Sequence, residues 1–109
     1  MIKYQLTIGL FDKDTEKQQI KTPAAKKQIS DTLLNRFGVY AFTMIECAGV
    51  YKMNSTGNIV IEPSIRVEIV TTDSGEIDIP DMVDYLKIQL NQESIMVETF
   101  GLTYDCNFM

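Results

Sequence analysis

Histidine is absent from all 109 residues, which removes the commonest general base and the commonest transition-metal ligand. A thiol nucleophile would then need another activator, and neither cysteine has one nearby in sequence. Cys47 follows Glu46, whose charge disfavours the thiolate, and Cys106 shares the apolar parity of Phe100, Leu102, Tyr104 and Phe108. Both read as reduced, packed thiols. The run Asp12-Lys13-Asp14-Thr15-Glu16 sets three acids at alternate positions, like the start of a calcium loop. Such a loop needs glycine at its sixth position and glutamate at its twelfth, where this chain has Lys17 and Pro23. The run therefore reads as a solvated, flexible loop. Gly57 and Gly75 stand singly in turns, without the spacing that cradles phosphate. No catalytic residue, metal ligand or cofactor is expected.

One constellation remains. Glu62, Arg66 and Glu68 share the polar parity of one strand-like segment, and Glu46 in the preceding segment falls roughly across from residues 64–66 of a hairpin. Such a cluster could hold a ligand, or form an interface or cross-strand ion-pair ladder worth about 0.2 to 1 kcal/mol per pair. The face that Glu46 occupies stays open, because both parities of its strand carry apolar residues: Tyr40, Phe42, Met44 and Val50 on one, Ile45, Cys47 and Tyr51 on the other.

The elements that must position these residues follow from periodicity. Ile2, Tyr4, Leu6, Ile8 and Leu10 alternate with Lys3, Gln5, Thr7 and Gly9, the period-2 signature of a strand with one buried face, and the same pattern recurs from Phe100 to Phe108. After a polar surface loop, Thr22-Pro23 opens a helix with Thr22 as its cap, and Ala25, Ile29, Leu33, Leu34 and Phe37 form its buried stripe before Gly38 closes it. Tyr40 to Tyr51 and Ile59 to Thr71 form a hairpin around the turn signal Asn54-Ser55-Thr56-Gly57-Asn58. Pro63 lacks an N–H and argues for an edge, bulge or bend. A second helix opens at Pro80, buries Ile79, Met82, Val83, Leu86 and Leu90, and ends at Asn91-Gln92. The last strand starts at Ser94, and a change of parity predicts a bulge or bend from Thr99 to Gly101.

The order strand, helix, strand, strand, helix, strand predicts an α+β, ferredoxin-like βαββαβ sandwich: one domain over residues 1–109, with two helices on one face of a four-stranded antiparallel sheet. Helices on one side bury only that side. Apolar residues on both parities of the second strand therefore predict a homodimer through the open face.

Net charge is −5, but residues 1–45 carry seven basic against four acidic residues, while residues 46–109 carry three against eleven. Lys21, Lys26, Lys27 and Arg36 are the nearest approach to a basic stripe and read as the solvated face of one helix, so no nucleic-acid partner is expected. No apolar run is long enough to cross a bilayer and no secretory signal is visible, so a cytoplasmic protein without a membrane partner is expected.

The segments Glu62-Pro63-Ser64-Ile65-Arg66-Val67, an E-x-S-x-x-V strand, and Gln92-Glu93-Ser94 before the last strand resemble a bacterial family of small domains of unknown function. The chain also resembles short hypothetical proteins of Gram-positive bacteria and their phages. The resemblance covers about a third of the chain. It implies a ferredoxin-like fold and no assigned activity. The leading expectation is a small non-enzymatic interaction or regulatory module. The alternative is a small-molecule sensor, or an enzyme of the dimeric α/β-barrel type with a pocket between sheet and helices.

Overall fold

A computed structural model of the chain describes residues 1–52, 56–72 and 77–101. Strand β1 (Ile2–Gly9) leads through a loop to helix α1 (Thr22–Asp31), which continues into a π-helical turn (Thr32–Arg36). Strands β2 (Thr43–Lys52) and β3 (Ile59–Thr71), helix α2 (Ile79–Gln89) and strand β4 (Met96–Gly101) follow. The sheet order is β2-β3-β1-β4 and every pairing is antiparallel. With β1 and β3 central, this is the ferredoxin-like α+β fold.

Alternation sets the register. Tyr4, Leu6 and Ile8 of β1 pair with Ile69, Val67 and Ile65 of β3, all on the helix side and all buried. A slip by one residue would expose that whole set and bury Lys3, Gln5 and Arg66, so the pairing is strongly specified. Onto this face α1 lays Ala25 and Ile29, the π-helical turn lays Leu33, and α2 lays Met82 and Leu86, none with measurable exposure. Each fully buried Leu, Ile or Met side chain contributes about 1.5 to 3 kcal/mol against conformational entropy.

The helix ends differ from one another. Asp78 caps α2, its Oδ1 accepting the N–H of Asp81 at 3.1 Å. At α1 the cap position falls on Lys21 without a side-chain bond, and the expected cap Thr22 instead accepts from Gln18 Nε2 at 3.0 Å. Beyond α1, Phe37 N–H reaches back five residues to the Thr32 carbonyl at 3.2 Å, which widens the last turn. Arg36 is carried over the ring of Tyr85 on α2, 4.1 Å from its centroid, and Phe37 meets the same ring edge-on at 6.1 Å. Of the four basic residues read as solvated, Arg36 therefore stacks on α2 and Lys26 reaches β2, while Lys27 pairs with Asp31 along the helix surface at 2.7 Å.

Three local expectations are corrected. Pro63 makes no bulge: β2 and β3 pair without interruption from Thr43↔Glu68 to Lys52↔Ile59. Its carbonyl accepts the Leu10 N–H at 2.9 Å, so its nitrogen also points toward the β1 side, one residue past the last β1 pair, Gly9↔Ser64, where no ladder donor is needed. Nor is there a bulge at Thr99 to Gly101, since β4 pairs continuously from Thr7↔Met96 to Ile2↔Gly101. Phe100 consequently lies with Lys3 on the helix-free face, 41% exposed, and not in the core. The remainder of the terminal alternation, with Cys106, lies outside the described residues, as do Asn54, Ser55 and Gly75.

The loop after β1 is also pinned. Asp12 Oδ1 accepts the N–H groups of Asp14 and Thr15 at 2.9 and 3.1 Å, and Asn91 Nδ2 donates to Asp12 Oδ2 at 2.7 Å and to Asp14 Oδ2 at 2.9 Å. Phe11 bridges to Gln18, and Gln92 Nε2 holds the Phe11 carbonyl at 2.8 Å. Among the described residues no helix is long and apolar enough to cross a membrane.

Candidate functional site on the open sheet face

With both helices on one side, the other side of the sheet presents the odd positions of β1 and β2 and the even positions of β3 and β4. Three adjacent rows form its centre. One runs Thr43, Glu68, Gln5, Glu98; the next Ile45, Arg66, Thr7, Met96; the third Cys47, Ser64, Gly9. Around the polar middle, Ile45, Met96 and Phe100 remain 42%, 54% and 41% exposed.

The four residues proposed as a cluster do not all meet. Glu46 pairs with Ile65 and so faces the helices, where its carboxylate receives Lys26 Nζ at 3.3 Å. Cys47, its neighbour in sequence, faces the opposite way, half-buried and free, so the supposed contact between carboxylate and thiol is not made. Glu62, Arg66 and Glu68 do share the open face, each engaged differently. Glu68 pairs with Lys3 at 3.5 Å across β1, and Lys3 also lies 5.9 Å from the centroid of the Phe100 ring. The Glu62 carboxylate extends over Gly9 to accept the Phe11 N–H at 2.9 Å. A Cβ at Gly9 would overlap that carboxylate, so the missing side chain is what admits it. Burial, then the charges of Glu62 and Glu16, push the nearby Tyr51 hydroxyl above its ordinary 10.0.

Arg66 has no such partner. Among the described residues its Nε and the Oγ1 of its cross-strand neighbour Thr7 are both closed off from water and make no hydrogen bond. The residues that complete this surface, Lys3, Gln5 and Thr7 on β1 with Met96 and Glu98 on β4, were absent from the sequence-based cluster, which was built on the hairpin alone. Their signal lay in the polar parity of β1: a central strand offers that parity to both neighbours. Gln5 Nε2 donates to Glu98 across β4 at 3.1 Å.

Two further features lie on the helix side of the sheet. The β2–β3 ribbon continues past the end of β1, leaving Val50, Ile59 and Ile61 about two-thirds exposed. A recess lined by Leu10, Asp12, Gln19, Ile20, Gln89, Leu90 and Asn91 has about 50 Å³ of room, enough for water and not for a nucleoside.

No protein-family model matches this chain, and no curated protein matches its sequence. Solved structures do match in fold. A phage SAM lyase in complex with S-methyl-5'-thioadenosine superposes with a TM-score of 0.63 at 21% identity, over 91% of this chain and 79% of that one. A B. subtilis GlnK–ATP complex gives 0.56 at 15% identity, covering 91% and 80%. A DUF3240 family protein from Shewanella baltica gives 0.51 at 10% identity, covering 99% and 97%. At these identities the likeness establishes the fold alone, shared with a phage protein and with a family of unknown function.

Proposed function

We propose that this chain is a small self-associating binding module. Copies meet through the helix-free sheet face, a homodimer being the smallest closed form, and an adenosine-containing small molecule is held where they meet. The observation that carries this reading is the open face: Ile45 and Met96 end a row whose Arg66 and Thr7 have, among the described residues, polar atoms shut off from water without partners, and Phe100 is exposed on the same face. Exposed apolar surface around unpaired polar groups is what a second copy and a ligand cover. The ligand class draws support from two fold neighbours, one holding S-methyl-5'-thioadenosine and the other ATP. Because the recess beside α2 is too small for a nucleoside, walls supplied by a second copy are the simpler way to enclose one. In this reading the role is regulatory rather than catalytic, in a cytoplasmic bacterial or phage protein without nucleic-acid or membrane partners.

A second reading is cleavage of S-adenosylmethionine, favoured by the higher TM-score of the lyase, 0.63 against 0.56 for GlnK. Calorimetric titration with S-adenosylmethionine, ATP and S-methyl-5'-thioadenosine, followed by chromatography of the mixtures, separates the two. Binding without turnover supports the first reading, and release of S-methyl-5'-thioadenosine from S-adenosylmethionine supports the second. A chain that stays monomeric and binds none of the three contradicts both.

A further inference from the structure

We propose that Arg66, with Thr7 beside it, anchors the negatively charged group of the ligand, a carboxylate or a phosphate; this assignment rests on the ligand reading above. Arg66 on β3 and Thr7 on β1 are cross-strand partners on the two central strands of the open face. Every carboxylate placed near enough to compete is engaged elsewhere. Glu68 holds Lys3, Glu98 accepts from Gln5, Glu62 accepts the Phe11 N–H, and Glu46 faces Lys26 on the other side of the sheet. Among the described residues Arg66 makes neither an ion pair nor a hydrogen bond, although a guanidinium offers five N–H donors.

An N–H closed off from water without an acceptor costs free energy that an incoming acceptor recovers, and the same holds for the Thr7 hydroxyl. In the resting position Arg66 Nε is covered, so turning the guanidinium outward to meet an anion gains bonds and gives up none. A planar guanidinium matches the paired oxygens of carboxylate or phosphate, and a neighbouring hydroxyl can donate to the same group. Ile45 beside Arg66 and Met96 beside Thr7 form apolar flanks in the same row, which lower the local dielectric and strengthen the attraction. The ligands differ usefully here: S-adenosylmethionine carries a carboxylate, ATP carries phosphates, and S-methyl-5'-thioadenosine carries no anionic group.

The test is calorimetric titration of the full chain, of Arg66→Gln and of Thr7→Val with each of the three ligands, alongside the mass of each variant in solution. Arg66→Gln is expected to weaken binding of S-adenosylmethionine or ATP roughly ten- to a hundredfold, and Thr7→Val severalfold, with the affinity for S-methyl-5'-thioadenosine and the mass unchanged. The ligand that suffers identifies the anion as carboxylate or phosphate. If Arg66→Gln fails to fold, Arg66→Lys replaces it and is expected to keep only part of the affinity for the anionic ligand. Equal losses for all three ligands, no loss for the charged ones, or conversion of Arg66→Gln to a monomer would each overturn the assignment. Wild-type chain that binds S-methyl-5'-thioadenosine but neither charged ligand overturns it while leaving the ligand reading standing. Absence of all binding removes that reading and the anchor with it.

Discussion

Gly9 and Glu62 make one unit at the end of β1, because the carboxylate lies where a Cβ at position 9 would sit and holds the Phe11 N–H of the following loop. Gly9→Ala should cost about 1 to 2 kcal/mol in urea unfolding, and Gly9→Ala combined with Glu62→Ala should cost less than the sum of the two. Strict additivity would mean that the two residues act separately. Asp12 is the second such point. The Asn91 amide, then the N–H groups of Asp14 and Thr15, hold its carboxyl below the ordinary 3.8. A carboxyl whose pKa is lowered by folding stabilises the fold above its unfolded value and loses that contribution as pH falls through the folded one. An NMR titration should therefore find Asp12 below 3.8, and Asn91→Gly, which still permits the backbone φ of 48° there, should move it upward. A wild-type value at or above 3.8 would show that the Asn91 tie is not maintained in solution.

Elements were legible where periodicity was long and unambiguous. β1, β3 and the buried stripes of both helices stand close to where alternation and four-residue spacing put them, since burial of one face decides both. Leu33→Ala removes a fully buried side chain at the junction of α1 and its π-helical turn and should cost about 2 to 5 kcal/mol, whereas Ile88→Ala on exposed α2 surface should cost under about 0.5. Similar losses at the two positions would contradict the packing described here. Illegible features depended on partners distant in sequence. The ease with which Pro63 is tolerated depends on where β1 ends, and the face of Phe100 depends on its pairing with Lys3. The order of the loop after β1 depends on Asn91, 79 positions beyond Asp12. The candidate site was half legible for the same reason. Glu62, Arg66 and Glu68 were readable from one strand's parity, but Glu46 was not, because its strand is apolar on both parities, and Thr7 entered only through cross-strand register.

For the molecule as a whole, charge and the open face lead to separate expectations. A net charge of −5, with Lys26 and Lys27 paired to carboxylates and Arg36 stacked on Tyr85, leaves little to attract phosphate backbones. Filter binding at low salt should retain no oligonucleotide, and tight, salt-sensitive retention would return attention to the α1 surface. Self-association through the sheet is the central claim, and multi-angle light scattering of wild type beside Ile45→Glu and Met96→Glu at micromolar concentration tests it most directly. Both substitutions put a charge on the open face without touching the helix side, so wild type should run at two or more times the 12.4 kDa of one chain, and each variant should fall to the monomer with its circular dichroism unchanged. A wild-type mass of one chain across the concentration range, or variants that assemble as wild type does, would contradict the account.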